Sequence, residues 1–214
     1  MRHGEVDNPE GVIYGRLPGF GLTPLGTQMA EAAADFLVAG GNDILHVFAS
    51  PLRRAQLTAL PTAASYGLPI ETNPLLVEAA SSFQGVNVNK NRLILAHPRN
   101  WSKYSAPLRP SWGEPYADIL ARMQGAISQA IDEAAGHEAL VVSHQLPIVT
   151  VQRFVQGKPL AHNPLGRECS LGSLTSLLFE GRTLVGWSYV EPAKELVARA
   201  QDVTPGASAA ATKA

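Results

Sequence analysis

Arg2-His3-Gly4 sets a guanidinium beside an imidazole at the start of the chain. This pairing suits a site that must hold a phosphate and attack it. Imidazole is nucleophilic toward phosphorus, and a guanidinium offers a planar fork of donors that matches phosphate oxygens. Gly4 reads as a flexible hinge beside them. Such a triplet also occurs by chance, so the rest of the chain has to supply what it lacks. A dianionic phosphate calls for a second guanidinium and a second imidazole, and a leaving alkoxide calls for an acid on its far side. Arg54, His144 and Glu78 are residues of those types in suitable places.

The places follow from the elements. Thr23-Pro24 is a helix start, with Thr as N-cap and Pro in the first turn, and Gly40-Gly41 is its stop. Ile44 to Ala49 is a short apolar run of strand character. Ser50-Pro51 repeats the capped, proline-led start, so Arg53 and Arg54 fall in the first turn of a helix directly after a strand, where backbone N–H groups gather and anions are favoured. Pro61 is expected to kink or end that helix. Leu68 to Thr72 reads as another strand, and Leu75-Leu76-Val77 leads Glu78 into a loop. Residues 86–112, with Lys90, Arg92, His97, Arg99, Lys103 and Arg109 among prolines and tryptophans, read as an insertion over the domain. A helix is expected over 114–135. Ala139 to Ser143 is a continuous apolar strand with His144-Gln145 at its end, followed by a helix from Pro147 to Val155. Leu174–Phe179 and Leu184–Tyr189 flank a hairpin turn at Glu180-Gly181-Arg182. A last helix is expected over 192–202, and the Ala/Ser-rich residues 203–214 as a disordered tail. Strands alternating with helices imply a three-layer α/β/α domain over residues 1–202, with a mostly parallel sheet and the site at the strand C-terminal ends.

Four stretches in order resemble the histidine phosphatase superfamily, the phosphoglycerate-mutase-like fold. They are Arg2-His3-Gly4-Glu5, Ser50-Pro51-Leu52-Arg53-Arg54-Ala55, Leu76-Val77-Glu78 with Gly85 downstream, and Val141-Val142-Ser143-His144. The resemblance implies that His3 becomes phosphohistidine. It implies that Arg2, Arg54 and His144 clamp the phosphoryl oxygens, with Asn8 and the Gln145 backbone N–H as further phosphate contacts. Glu78 would donate the proton and then activate water. Arg16 and Arg99 are candidate substrate contacts. No metal or other cofactor is implied, since the two Arg and two His supply the positive charge.

The chain departs from the family at three points. Only Met1 stands where a hydrophobic strand normally precedes Arg-His-Gly, so the first strand looks truncated, and the expectation is either a start further upstream or a weakened sheet. The Arg-rich substrate segment of the mutases is not visible in residues 86–112, which favours a phosphatase. The Glu78-to-Gly85 gap and the His3-to-Asn8 spacing are each one residue short.

The expected function is thus hydrolysis of a phosphomonoester of a small phosphorylated metabolite. The alternatives are a phosphoglycerate-type mutase, which would return phosphate to its substrate, and a non-catalytic phosphate binder on the same fold. The bulk numbers fit. The chain has 214 residues, 45% hydrophobic and 16% charged, enough for a core, and a net charge of −1 gives no basic face for nucleic acid. No run approaches the roughly 20 apolar residues of a membrane span. Cys169 is the single cysteine, which excludes an intramolecular disulfide and fits a cytoplasmic protein. The hairpin at 174–189 is a sheet edge on which a homodimer could form.

Overall fold

The computed structural model of the protein describes residues 1–87, 113–204, 206 and 210–212. All but the first two residues of the expected insertion at 86–112, Arg92, Arg99 and Arg109 among them, therefore lie outside the described residues.

Three parallel strands form the centre: β1 (Ile44–Ala49), β2 (Ile70–Thr72) and β3 (Glu138–Val142), in the order β2-β1-β3. Strand β1 lies in the middle, which explains why Val47, Phe48 and Ala49 are buried. Helices α1 (Pro24–Ala39) and α2 (Arg53–Tyr66) cover one face. Their buried Ala33, Leu37, Ala55, Ala59 and Ala63 pack with Val47 and Val142 of the sheet. The opposite face carries α3 (Tyr116–Ala134) and α4 (Gln145–Val155), where Ile119, Met123, Ala126 and Val151 close on Phe48 and Leu76. The result is the expected three-layer α/β/α arrangement. An antiparallel hairpin of β4 (Leu174–Glu180) and β5 (Thr183–Val190) completes the domain.

Residues 1–3 run between β3 and the start of β4. Arg2 forms a parallel bridge with Ser143. The Ser143 amide donates to the Met1 carbonyl (2.9 Å), the His3 amide to Ser143 O (3.2 Å), and the Arg2 amide to Ser173 O (3.0 Å). Backbone on both sides thus sets Arg2 and His3 at the C-terminal end of β3.

Several local expectations are corrected. Ser50 does not cap α2; Leu52 holds that position without a side-chain cap bond. Pro61 does not end α2, which continues to Tyr66 and closes on left-handed Gly67. Packing explains this: one face of the helix is buried through Ala55, Thr58, Ala59, Thr62 and Ala63, and that burial outweighs one lost backbone hydrogen bond. Helix α4 begins at Gln145 rather than Pro147.

At the C-terminus the expected helix over 192–202 shrinks to α5 (Lys194–Val197), followed by β6 (Gln201–Asp202). The chain also does not leave the fold at 202. Thr204 bonds to Arg2, and β7 (Ala211–Thr212) pairs in parallel with β6. Tertiary partners take over here: Val197 and Ala200 pack under Met29 and Leu171, and the Gln201 amide donates to Glu5 Oε1 (2.6 Å). Among the described residues, no helix is long and apolar enough to cross a membrane.

Candidate active site

His3 and His144 are both buried, with ring centroids 5.2 Å apart and planes at 59°. His3 Nδ1 lies 2.8 Å from Gly4 O. A carbonyl oxygen only accepts, so Nδ1 carries the proton and Nε2 the lone pair. The Gly4 amide in turn donates to Thr58 Oγ1 (3.1 Å), whose hydroxyl donates to Arg54 O (2.7 Å). Gly4 is therefore no hinge. A Cβ on it would stand 2.4 Å from Gly26 O, and one on Gly26 would stand 2.1 Å from Glu5 O. The two glycines let the backbone at Gly4-Glu5 press against the start of α1, which fixes the His3 backbone.

His144 sits at the N-cap position of α4, directly after β3, and its Nε2 lies 2.8 Å from Ser50 Oγ. Arg54 stands in the first turn of α2. Its Nη2 donates to Gly15 O (2.7 Å), and its guanidinium lies 4.7 Å from the centre of the Tyr14 ring, whose own edge faces His3. Arg2 is fully buried and donates from Nη1 to Cys169 O (2.6 Å) and from Nη2 to Asp202 (2.5 Å) and Thr204 (2.8 Å). Among the described residues, buried Arg2 Nε, Arg54 Nε, His144 Nδ1 and Gln145 Nε2 have no hydrogen-bond partner. Leaving a buried polar group unpaired is costly. Thr62 Oγ1 and Tyr66 OH are also without a partner, but the other four belong to the residues expected to bind phosphate, and an acceptor-rich anion would satisfy them.

Electrostatics follow from this burial. Desolvation, reinforced by the Arg54 and Arg2 charges, holds His3 well below the ordinary imidazole range. Desolvation, Arg54 and His3 do the same to His144. Both rings are neutral at pH 7, which keeps the His3 lone pair available. Burial lowers Arg54 as well, whereas for Arg2 burial is outweighed by Asp202, with Cys169 and Tyr14 adding to it, and the guanidinium is held charged. Glu78 is pushed up by desolvation, against the Ala79 N–H it accepts (2.8 Å) and the charges of Arg54, Arg2 and Arg167.

The expected residues are placed unevenly. Arg2, His3, Arg54, His144 and Gln145 come together and are buried, with Glu78 within reach of their charges. Asn8 instead closes its own loop, donating to Val12 O (2.9 Å) and accepting from Val12 N (3.1 Å), and it lines a cavity with Tyr14 and Asp202. Arg16 is engaged with the protein. Its Nε donates to Glu78 O (2.6 Å) and its Nη2 pairs with Glu114 (2.8 Å). Arg99 lies outside the described residues.

Several residues escaped the sequence reading. Ser50, Thr58 and Tyr14 support the imidazoles and Arg54. Glu114 and Arg122 (2.9 Å apart) anchor the Glu78 loop through Arg16 and Leu75 O. Arg167 donates to Gln145 Oε1 (3.3 Å) and feels the charges of Glu78 and Arg2. Asp202 and Thr204 reach Arg2 from the C-terminal segment. Ser50 and Thr58 share a strand–helix junction with Arg54, which is a usable signal; Asp202 carries none.

A three-layer α/β/α fold with two buried imidazoles and two guanidiniums at its strand ends is of the phosphoglycerate-mutase-like class. The chain belongs to the histidine phosphatase superfamily (branch 1), whose family model matches residues 1–190. It is 49% identical over 193 residues to the uncharacterized protein Rv0525 of Mycobacterium tuberculosis, covering 90% of this chain and 95% of that one. The native structure of the mycobacterial glucosyl-3-phosphoglycerate phosphatase Rv2419c superposes with a TM-score of 0.59 at 25% identity, over 75% of this chain and 79% of that one. The alpha-ribazole phosphatase of Shigella flexneri shares the fold with a TM-score of 0.68 at 23% identity, over 86% and 91% of the two chains.

Proposed function

We propose that the protein is a phosphatase of small phosphorylated metabolites that works through a phosphohistidine on His3, with its charge stabilisation supplied by Arg2 and Arg54. The observation that carries this reading is the His3 ring. Its Nδ1–H is tied to Gly4 O, which leaves Nε2 as a neutral nucleophile beside the unpartnered donors of Arg2, Arg54, His144 and Gln145.

The steps follow from these positions. The phosphoryl oxygens are received by Arg2, Arg54, Gln145 and His144. His144 Nε2 and Ser50 Oγ share a hydrogen bond of 2.8 Å, and with Ser50 as the donor the Nδ1–H of the ring is left for the anion. His3 Nε2 attacks phosphorus as the ester bond breaks, and Glu78, whose carboxyl desolvation pushes up, gives its proton to the leaving alkoxide. The Glu78 carboxylate then takes a proton from water, the water attacks phosphohistidine, and inorganic phosphate and His3 are released. Fixed donors around a site that excludes bulk water are the main source of rate in such transfers.

His3→Ala tests the reading. Turnover of an aryl phosphate should vanish, and the acid-labile phosphoenzyme seen on rapid quenching should be lost, while circular dichroism is unchanged. Undiminished turnover overturns the assignment. A phosphoenzyme that returns its phosphate to substrate, with little phosphate released, indicates a mutase. Phosphate binding without any phosphoenzyme indicates a binding protein.

A further inference from the structure

Arg2 spends its donors in an unusual direction for a phosphate ligand. Its Nη2 donates to Asp202 Oδ2 (2.5 Å) and to Thr204 Oγ1 (2.8 Å), and its Nη1 to Cys169 O (2.6 Å). A guanidinium grips an oxyanion in two ways, through Nε with Nη2 or through Nη1 with Nη2. Both forks include Nη2, and here Nη2 is engaged twice by the C-terminal segment. Of the five N–H groups three are engaged; what remains among the described residues is the Nε–H, which has no partner, and the second N–H of Nη1, and these two do not share a fork.

The segment is held for this contact. Asp202 is buried, and its Oδ1 accepts from the Thr204 amide (2.9 Å) and hydroxyl (2.6 Å), which aims Oδ2 at Arg2. The Gln201 amide is tied to Glu5 Oε1 (2.6 Å), while Glu5 Oε2 accepts from Thr23 (2.6 Å). Ala193, Val197 and Ala200 seat the preceding residues on Met29 and Leu171. Further along, Gly206 stands against the Gln145 side chain: a Cβ there would be 3.0 Å from Nε2, which is itself without an acceptor. Residues 201–204 thus lie between Glu5 and Arg2, and Gly206 lies against Gln145. They lie beyond residue 190, where the match to the family ends.

We propose that Asp202 and Thr204 form an internal stand-in for the substrate phosphate, a strap that must release Arg2 Nη2 before Arg2 can hold a phosphoryl group with two donors. A carboxylate and a hydroxyl on one Nη2 reproduce what two phosphate oxygens would offer. The strap therefore taxes every phosphate ligand by the fraction of molecules in which Arg2 is already taken. This inference rests on the reading of Arg2 and Arg54 as phosphate ligands.

The test is the affinity for inorganic phosphate, by calorimetry and as a competitive inhibitor of aryl phosphate turnover. Asp202→Ala should tighten binding about ten-fold and Thr204→Ala about three-fold, with KM falling and kcat changing less. Weaker or unchanged binding in both overturns the strap and makes Asp202 a brace for Arg2. Arg54→Ala is the control for the underlying reading. If it leaves phosphate affinity intact, the phosphate site itself is misassigned and the strap falls with it. Hydrogen exchange on the unaltered protein covers the chance that Asp202→Ala destabilises the fold. Saturating phosphate should speed exchange of the Gln201 and Thr204 amides, and unchanged or slower exchange refutes the proposal.

Discussion

The two walls of the candidate site are built by different means. The inner wall, Arg2, His3, Arg54 and His144, is placed by backbone: strand ends, the first turn of α2, the start of α4 and the Gly4–Gly26 contact. Its residues are buried, and several keep unpartnered donors. The outer wall is held by side-chain charge. Glu114 accepts from both Arg16 and Arg122, and these two guanidiniums carry the backbone of the acid loop through Glu78 O and Leu75 O. Side-chain exposure there reaches 37% at Arg16 against 12% at Arg122. The inner wall is thus buried and rich in positive charge. The outer wall depends on ion pairs that salt can weaken, and it carries the group that must change protonation state.

Breaking the inner wall should have the largest effect. Arg54→Ala should lower kcat/KM for an aryl phosphate about 10³-fold, the scale for losing a preorganised donor. It should also move the pH profile. In the intact protein His3 takes up a proton only well below pH 6.5, so the acid limb lies low, and Glu78 loses its proton only above the usual carboxylate range. Arg54 lowers both groups. Its removal should therefore shift both limbs to higher pH, and a pH–rate profile of the variant checks the sign.

The acid comes next. Glu78→Gln should cost about 10²-fold in kcat on an alkyl phosphate and much less on p-nitrophenyl phosphate, whose leaving group needs no proton. Equal losses on both substrates would mean that Glu78 acts on phosphate rather than on the leaving oxygen.

The smallest effect should come from the ion pairs of the outer wall. Arg122→Ala or Arg16→Ala should reduce kcat by about ten-fold or less, because each acts only by placing the acid loop. Raising the salt concentration should reproduce part of that loss in the unaltered protein and leave the Arg54→Ala deficit alone. Equal salt sensitivity on both sides would erase the distinction between the walls.

The same division explains what could be read early. The backbone placement of the inner wall is short-range and patterned, although its side chains also find distant partners, such as Asp202 for Arg2. Ile44–Ala49 followed by Arg54, and Val141-Val142 followed by His144, announce strand-to-helix junctions by apolar run and spacing alone, and the structure forms both. The outer wall joins side chains far apart in sequence, such as Arg16 with Glu114, and no local pattern pairs them. Pro61 does not end its helix for a related reason: propensity at one residue is small beside the burial of a whole helix face. The extended helix expected over 192–202 failed the same way, since its residues are claimed by Met29, Glu5 and Arg2.

The sequence by itself determined the kind of chemistry this chain can hold. Arg-His-Gly, the second Arg, the acid and the second His are residue types whose reactivity is intrinsic, and their order along the chain is enough to name the superfamily. Tertiary structure decided how those groups are tuned. The His3 tautomer rests on Gly4 O, the neutrality of both imidazoles on burial beside Arg54, and the engagement of Arg2 Nη2 on an aspartate 200 residues away. Tautomer, desolvation and pairing are properties of surroundings, and surroundings exist only once the chain has folded.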